Sequence, residues 1–521
     1  MVAAIRRLLQ FHRFDWRGHV ARLHLVLVAC ALTNVSPRLA IGAEPDSTVA
    51  SAPNIVVMLA DDLGYGDLAC YGSEVLKTPN IDRLAAEGLR LTDCYAAAPN
   101  CSPARAGLMT GRAPWRLGIH NWIPMLSPVH VRREEITIAT LLRRAGYATC
   151  HVGKWHLNGR FNMAGQPQPS DHGFEHWFST QNNSLPNHRN PNNFIRNGQA
   201  VGQLHGYSAR LVAGEAIRWL QDHCETTRER RQPFFLFACF HEPHEPIATD
   251  PQLAAWYPSS DDPSRAAHHG NVSQLDESIG RLLQAIDDLG LRDETFVVFT
   301  SDNGPAITRI HPHGSAGPLR DKKGSMYEGG IRVPGIVRWP RHTQPGSVSN
   351  EPVSGVDLLP TLCAVAGAPV PADRAIDGAS FLPIFESQPI VRTKPLYWQF
   401  NRATSKPKVA MRMGDWKILA HLDTPELRPG VDQTAAEMKR FKTADLTTFE
   451  LYNLRNDISE TTDVAAEQPE RLATMAATLR ESYYEMRDES PVWPAWEWTH
   501  YEGQRIEWPD YWEKRHRPPA K

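Results

Sequence analysis

The segment Asn54-Ile55-Val56-Val57-Met58-Leu59 decides the fold, because a continuous apolar run is typical of a strand buried in a parallel sheet. The run ends at Ala60-Asp61-Asp62, so two adjacent carboxylates follow the predicted strand. Open α/β sheets bind their ligands beyond the carboxyl ends of the strands. Asp61 and Asp62 are therefore the first candidates for a ligand site, although an isolated Asp-Asp pair is more often a solvated turn.

Outward from this strand, helical and strand patterns alternate along the chain. Such alternation predicts an α/β fold with a large, mostly parallel sheet sandwiched by helices. Segment 166–206, rich in Asn, Pro and His, lacks periodicity and is predicted to be a long surface excursion. The other predicted strands are 89–95, 147–152, 234–240, 295–300 and 331–337, and the predicted helices are 78–87, 136–145, 208–222, 272–289 and 356–366.

The pattern changes near residue 395, where short segments predict a smaller C-terminal antiparallel sheet covered by one helix. The predicted strands are 396–399, 409–413, 416–421 and 451–454, and the helix is 469–487. The chain is thus expected to hold a catalytic domain (50–390), a small α+β subdomain (391–490) and a Trp- and Pro-rich tail (491–521). We expect the tail to wrap the protein's own surface; an aromatic platform for a saccharide is the alternative.

The first 43 residues read as an export signal, because five arginines precede the apolar run 23–32, which is too short to span a bilayer. Two cleavage sites compete. Ala40-Ile41-Gly42-Ala43 fits a signal peptidase and is slightly favoured, whereas Leu27-Val28-Ala29-Cys30 resembles a lipobox in which Cys30 carries lipid. We therefore expect a periplasmic or extracellular protein, secreted or lipid-anchored through Cys30. No later stretch is apolar enough to predict a transmembrane helix.

Composition excludes several classes of protein. The 521 residues carry a net charge of −2, which argues against a nucleic-acid binder held by a basic face. The eight cysteines are scattered and form no C-x-x-C pair, so neither a zinc ribbon nor a dense disulfide framework is indicated. An exported protein could still hold one or two disulfides.

Titratable side chains recur just beyond the predicted strand ends, where one site could collect them. The carboxylates and amide Asp61, Asp62, Asp302 and Asn303 offer the oxygen donors that Ca²⁺ or Mg²⁺ prefers. A second group of side chains carries positive charge or protons and could bind a tetrahedral oxyanion. The group consists of Arg105, Lys154, His156, His241, His244 and Lys323.

Cys101 opens the run Cys101-Ser-Pro-Ala-Arg105-Ala-Gly-Leu-Met-Thr-Gly111. A cysteine beside small residues is usually a buried apolar filler. The Ser-Pro turn and the arginine one helical turn later instead place Cys101 at a helix N-terminus, where an anion or an activated nucleophile is favoured.

Together these motifs resemble the formylglycine-dependent sulfatases of the alkaline phosphatase superfamily, over roughly residues 50 to 490. The resemblance rests on the Cys-x-Pro-x-Arg run, Asp61-Asp62-x-Gly-Tyr-Gly-Asp, Gly153-Lys-Trp-His-Leu157, Pro243-His-x-Pro246, Ser301-Asp-Asn-Gly304 and Lys323-Gly-x-x-Tyr-Glu-Gly-Gly330. Two motifs depart from the family pattern: Asn158 replaces a common Gly, and Asn453 and Ile458 alter the signature of the small domain. These departures leave the substrate open rather than the reaction type.

The resemblance implies that a formylglycine-generating enzyme oxidises Cys101 to formylglycine, whose hydrate attacks sulfur. It implies Ca²⁺ as the metal, although oxygen ligands alone also permit Mg²⁺, with the ligands Asp61, Asp62, Cys101, Asp302 and Asn303. Arg105 would hold the hydrate, and His156, steered by Lys154, would remove its second proton. His244 or Lys323 would protonate the leaving alcohol, and His241, His244 and Lys323 would bind substrate.

Three functions follow as hypotheses. The leading one is a sulfuric ester hydrolase that acts on a sulfated carbohydrate or an aryl sulfate. A phosphomonoester or phosphonate ester hydrolase on the same scaffold is the second. The third is a non-catalytic binder of sulfated glycans, with an unconverted Cys101 and the tryptophan-rich tail as its platform.

Overall fold

The computed structural model describes residues 52–228, 232–425 and 430–512. The predicted export signal (1–43) and Cys30 lie outside the described residues. Strands of the described part are, in chain order, β1 (Asn54–Asp61), β2 (Leu89–Leu91), β3 (Cys94–Tyr95), β4 (Ala148–Lys154), β5 (His176–Thr180), β6 (Ile195–Arg196), β7 (Gln199–Ala200), β8 (Phe234–Pro243), β9 (Thr295–Ser301), β10 (Gly335–Arg338), β11 (Ser347–Ser349), β12 (Val353–Ser354), β13 (Leu396–Gln399), β14 (Val409–Met413), β15 (Trp416–Leu422) and β16 (Leu446–Asn453).

The main sheet has ten strands in the order β11-β2-β10-β9-β1-β8-β4-β5-β6-β7. Its centre is parallel, since β9, β1, β8, β4 and β5 all run in one direction. Antiparallel pairs flank this centre, because β10 opposes β9 and β2 while β6 opposes β5 and β7. The edge strand β11 is parallel to β2. The predicted α/β fold, with a large, mostly parallel sheet between layers of helices, is confirmed.

Helices cover both faces of the sheet, which explains the continuous apolar run of β1. The helices are α1 (Pro79–Glu87), α2 (Cys101–Thr110), α3 (Ile138–Arg144), α4 (Ser208–Thr226), α5 (Pro251–Ala254), α6 (Pro263–Asp288), α7 (Glu328–Ile331), α8 (Leu358–Val365), α9 (Ala435–Thr443) and α10 (Pro469–Glu489). Ile55, Val57 and Leu59 pack with α2, α3 and α8 on one face, and Val56 and Met58 pack with α1, α4 and α6 on the other.

The parallel centre positions the site. Because β1, β4, β8 and β9 run in one direction, their carboxyl ends at Asp61, Lys154, Pro243 and Ser301 meet at the same edge. The approach is close at Gly153, whose φ is +96° and where a Cβ would lie 1.8 Å from the carbonyl oxygen of Cys239. Any side chain at position 153 would therefore push β4 from β8.

Five predicted segments were wrong in detail. The helix expected at 272–289 begins at Pro263, and the strand expected at 451–454 begins at Leu446. The predicted strand 89–95 is divided at a turn, so β2 joins the main sheet and β3 pairs with β12. The predicted strand 331–337 begins only at Gly335, because α7 occupies its start and Pro334 has no N–H for a ladder bond. Segment 166–206 is not only a surface excursion, since it contributes β5 to the main sheet and buries Phe178.

The smaller antiparallel sheet is confirmed, with the order β13-β14-β15-β16. One face packs Trp398 and Ala410 against Met326 and Tyr327, and the other packs Val409 and Met411 under α10. The borders predicted at residues 390 and 490 stay predictions. The seven cysteines of the described residues are free thiols. None of the helices in the described part of the chain is both long and apolar enough to cross a membrane.

Candidate active site

Asp61 and Asp62 lie at the end of β1, and two backbone N–H groups join this end to the end of β9. Asp62 has a φ of +67°, a left-handed conformation that is unusual for a residue other than glycine. Its backbone N–H donates to Asp302 Oδ1 at 3.2 Å, and the N–H of Leu63 donates to Ser301 Oγ at 3.0 Å. The turn thereby holds three carboxylates together in the protein interior.

Each of these carboxylates is paired with a cation. Lys154 Nζ lies 2.6 Å from Asp61 Oδ2, and Lys323 Nζ lies 2.6 Å from Asp62 Oδ1. An arginine completes the arrangement, since one terminal nitrogen of Arg105 lies 2.7 Å from Asp302 Oδ2 and 3.7 Å from Asp61 Oδ1. A buried charge is tolerated only when it is paired in this way.

The cations set the ionisation of the two aspartates. Burial alone would raise the pKa of Asp61, but Lys154, His244 and Arg105 outweigh it and hold the pKa below its usual value. Burial likewise opposes Lys323 and His244 at Asp62, whose pKa is also lowered. Both side chains are therefore carboxylates at neutral pH, ready to bind a cation.

Cys101 is the first residue of α2 and is buried. The helix is capped by Asn100, whose Oδ1 accepts the N–H of Cys101 at 2.8 Å. One turn along the helix, Arg105 donates to the backbone oxygen of Lys154 at 2.9 Å, which fixes α2 against β4. The helix therefore presents both predicted residues, Cys101 and Arg105, to the carboxylates.

His156 is buried with a φ of +57°, and its ring is held in one tautomer. Nε2 lies 3.1 Å from the carbonyl oxygen of Ile123, which can only accept, so Nε2 carries the proton and Nδ1 carries the lone pair. Burial, with Lys154 and Arg105 nearby, holds the pKa of His156 well below its usual value. The neutral ring is thus able to accept a proton at Nδ1.

His244 has the opposite tendency. Its Nε2 lies 3.6 Å from Asp62 Oδ2, and its Nδ1 bonds to the carbonyl oxygen of Glu245. Burial would lower its pKa, but Asp61 and Asp62 together raise the pKa to about 9. A ring that holds both protons at neutral pH is suited to donating one.

His241 is fixed by Thr180 rather than by a charge. The Thr180 hydroxyl donates to the backbone oxygen of Asn182 at 2.8 Å, so the Nε2–H of His241 donates to Thr180 Oγ at 2.8 Å. Burial, together with His188, keeps the pKa of His241 well below its usual value. His241 therefore lies in the site as a neutral ring.

The donor set fits a hard divalent cation. One ligand atom from each of Asp61, Asp62, Cys101 and His244 lies within 4.8 Å of the others. Asp61 Oδ1 and Asn303 Oδ1 are buried without a hydrogen-bond partner, as expected of oxygens that face a metal. Asn303 adjoins the cluster through its Nδ2, 2.7 Å from Asp62 Oδ1.

The structure thus brings all eleven predicted site residues to one edge of the sheet. Sequence reasoning missed Asn100 and Thr180, which position Cys101 and His241. Asparagine is a preferred residue at the start of a helix, so the cap of α2 had a local signal. Thr180 had none, because it lies in a segment without periodicity.

A family model agrees with this geometry. The model of the family described as Sulfatase matches residues 53–368. This chain belongs to the Sulfatase family. A second model, described as the C-terminal region of N-sulphoglucosamine sulphohydrolase, matches residues 319–440.

Named relatives support the assignment of this sulfatase as an enzyme. N-acetylgalactosamine-6-sulfatase of Rattus norvegicus is 36% identical over 406 residues, which cover 73% of this chain and 74% of the relative. Arylsulfatase A of Homo sapiens is 38% identical over 358 residues, covering 64% and 68%. The crystal structure of Ps i-CgsB superposes with a TM-score of 0.72 at 29% identity, covering 90% of the sulfatase and 98% of that chain.

Proposed function

We propose that this sulfatase removes sulfate from a sulfated carbohydrate, or from an aryl sulfate, through a formylglycine derived from Cys101. The observation that carries the proposal is the position of Cys101, whose sulfur lies within 4.8 Å of Asp61 and Asp62 oxygens and a His244 nitrogen. A thiol is a poor ligand for the hard cation that these oxygen donors would bind. The hydroxyls of a hydrated aldehyde are oxygen ligands and suit such a cation. The names of the relatives support the substrate class, and a structure of Ps i-CgsB is in complex with k-i-k-neocarrahexaose.

Asp61, Asp62, Asp302 and Asn303, together with the converted residue 101, would hold Ca²⁺, with Mg²⁺ as the alternative. When bound, this metal supplies positive charge that favours the ionised hydroxyl and polarises the sulfate oxygens. The hydrated aldehyde supplies the attacking hydroxyl and a second hydroxyl for release of sulfate.

The side chains of the sulfatase then have distinct roles. Arg105 holds the hydrate of residue 101 and offsets the charge on it, while Lys323 offsets the charge that develops on the sulfate oxygens. His244 gives its Nε2 proton to the leaving alcohol, with Lys323 as the alternative acid, and His241 binds substrate. His156 accepts a proton at Nδ1 from the second hydroxyl at position 101. Lys154 stays paired with Asp61, and its positive charge lowers the pKa of the His156 ring.

The test is turnover of 4-nitrocatechol sulfate by protein that has been co-produced with a formylglycine-generating enzyme. Cys101→Ser should lower kcat by several orders of magnitude, while Cys224→Ser, a partly exposed thiol on α4, should leave it unchanged. Peptide mass spectrometry should show the sulfur of Cys101 replaced by oxygen in the active protein. Full activity with an unmodified thiol would contradict the proposal.

The same assay separates the alternative activities. A phosphate or phosphonate ester hydrolase would show the higher kcat/KM on the aryl phosphate matched to the aryl sulfate. A non-catalytic glycan binder would turn over neither and would keep a free thiol at Cys101. Within the described residues one cluster has the geometry of a metal site, which favours the sulfate ester over a two-metal phosphatase.

We also propose export to the periplasm or the extracellular space, directed by residues 1–43. Sequencing the N-terminus of the mature protein tests this, because cleavage after Ala43 and lipidation of Cys30 give different first residues.

A further inference from the structure

Residues 491–512, here named the C-terminal strap, lie beyond the ranges matched by both family models. The strap runs over the protein's own surface. Trp493 donates its indole N–H to the carbonyl oxygen of Gly118 at 2.7 Å, and the backbone of Trp496 pairs with Gln433 in both directions at 2.8 Å. The N–H of Trp498 then donates to Asp432 Oδ1 at 2.6 Å. These bonds fix the strap before it reaches the site.

From this point the strap contacts residues beside three of the site histidines. Trp498 packs edge-on against Trp122, with ring centroids 5.5 Å apart, and Trp122 lies 6.3 Å from the ring of His156. Glu502 is buried, and its carboxylate accepts hydrogen bonds from the side chain of Asn182 and the N–H of Asn183, both at 3.2 Å. Asn182 is also the residue whose carbonyl oxygen orients Thr180 toward His241.

The end of the strap is linked to the third histidine, His244, through two intervening residues. The Tyr511 hydroxyl lies 2.8 Å from His311 Nε2, and His311 Nδ1 lies 2.7 Å from Glu245 Oε1. Glu245 follows His244 and bonds to its ring through the backbone oxygen. The strap therefore borders the site from the side of His156 to the side of His244.

Trp122 is held firmly at this border. Its neighbour Asn121 accepts a hydrogen bond from Asn100, the cap of α2, at 2.7 Å. On its other side, the N–H of Ile123 bonds to Ser102 Oγ at 3.0 Å, and the oxygen of Ile123 accepts from His156. The chain on both sides of Trp122 is thus tied to the helix that carries Cys101 and to the loop that carries His156.

Burial decreases along this row of rings. His156 is buried, Trp122 and Trp498 are half-buried, and His500, stacked 3.9 Å from Trp498, is exposed. The half-buried indoles offer apolar ring surface beside a charged pocket, and the C–H face of a pyranose ring can pack against such a surface. Its hydroxyls can then stay in water or bond to polar groups.

We propose that Trp122 and Trp498, whose rings are perpendicular, form an aromatic platform for a sugar ring of the sulfated substrate, with one indole against its C–H face and the other at its edge. The C-terminal strap would then be one wall of the binding site. This inference rests on the proposed function and names the part of the substrate that the charged pocket does not hold. His244 and Lys323 would bind the sulfate group, while the platform would bind the saccharide. Trp498 is thus a substrate-binding residue and takes no part in the bond cleavage.

The test is saccharide binding by full-length Cys101→Ser protein, which leaves the probe intact. Isothermal titration with N-acetylgalactosamine 6-sulfate and with neocarrahexaose should show binding of at least one saccharide. A second substitution, Trp498→Ala, should weaken that binding tenfold or more, whereas Trp498→Phe should restore most of it. Trp256→Ala removes an indole that is 44% exposed and lies near Lys77, and it should have no effect.

Two further measurements separate this platform from general damage. Inhibition of the wild type and of Trp498→Ala by inorganic sulfate should be equal, because sulfate alone uses only the charged pocket. Unchanged saccharide affinity in Trp498→Ala would overturn the platform, and so would failure of both saccharides to bind while aryl sulfate is still hydrolysed. Loss of all sulfate ester hydrolysis in the converted wild type would instead contradict the proposed function.

Discussion

Asn100 Oδ1 accepts the backbone N–H of Cys101 at 2.8 Å, and Asn100 Nδ2 donates to Asn121 Oδ1 at 2.7 Å. One buried side chain thus caps α2 and also ties it to the loop of Trp122. Loss of a helix cap costs about 1 kcal/mol, and loss of the second bond leaves another polar group unpaired. We expect Asn100→Ala to lower the free energy of unfolding by about 1–3 kcal/mol in urea titrations and to reduce kcat.

Asn100→Ser is the matched control, because serine keeps an oxygen that can accept the hydrogen bond of the cap but is too short to reach Asn121. It should recover about half of the lost stability. Equal stability of Asn100→Ala and wild type would show that the cap contributes nothing.

Chelation should destabilise the enzyme. Asp61, Asp62 and Asp302 lie together, and each is paired with a lysine or an arginine. A bound cation would offset the repulsion among the three carboxylates that remains despite these pairs. A ligand at a hundred times its dissociation constant adds about 2.7 kcal/mol to the free energy of unfolding. We expect EGTA to lower both the Tm and the activity, with recovery on addition of Ca²⁺.

Recovery of the Tm and the activity with Mg²⁺ instead of Ca²⁺ tests which metal the site prefers. The two metals differ because Mg²⁺ holds its water more tightly and demands octahedral geometry. In Asp61→Asn the response of the Tm to EGTA should shrink. A Tm that is indifferent to chelator in the wild type would argue against a metal at this site.

The fold and most of the site could be predicted because their signals are local. Continuous apolar residues in β1 predict a strand that is buried on both faces of the sheet. The polar site residues at the ends of the parallel strands lie within a few positions of each strand in the sequence. Thr180 could not be predicted, because its role depends on β4 pairing with β5 in register, Lys154 opposite Thr180. The same holds for Trp122 and Trp498, which are distant in sequence and meet only in the folded chain.

Lys417 is another residue whose role depends on distant partners. Its Nζ lies 2.9 Å from Glu328 of α7 and 2.9 Å from Glu460, and all three side chains are buried. Removing one partner from a buried ion cluster costs about 3–5 kcal/mol, because the remaining charges stay uncompensated. Lys417→Met should therefore lower the free energy of unfolding by about this amount in denaturant titrations.

Arg471→Met is the matched control, since its guanidinium lies over the ring of Trp416 on the same strand as Lys417. A loss below about 0.5 kcal/mol is expected there, as for most surface substitutions. Equal losses in the two variants would contradict the importance of the buried cluster.

The same cluster predicts a pH dependence of stability. Burial raises the pKa of Glu460 from 4.5 to about 7, although Lys417 opposes the shift. Between these pH values the folded state holds a proton that the unfolded state has released, so this contribution to stability is complete at low pH and disappears as the pH rises. The loss should be about 1–3 kcal/mol between pH 4.5 and 7.

Glu460→Gln cannot titrate at this position. The difference in the free energy of unfolding between wild type and Glu460→Gln should therefore change with pH across this range and be constant above it. Parallel pH profiles for the two proteins would show that Glu460 keeps an ordinary pKa.

The two candidate acids can be separated by the leaving group. Lys323 is held 2.6 Å from Asp62 Oδ1, whereas His244 Nε2 lies 3.6 Å from Asp62 and its Nδ1 is anchored by Glu245. The proton of His244 is thus the more available, and general acid catalysis contributes about 10²–10⁴-fold to a rate. Across aryl sulfates of rising phenol pKa, His244→Gln should lose progressively more kcat/KM, because a poor leaving group needs the proton most. Lys323→Gln should lose activity by a similar factor on every substrate, since it removes charge from the sulfate pocket. A reversal of these two patterns would make Lys323 the acid and leave His244 as a substrate-binding residue.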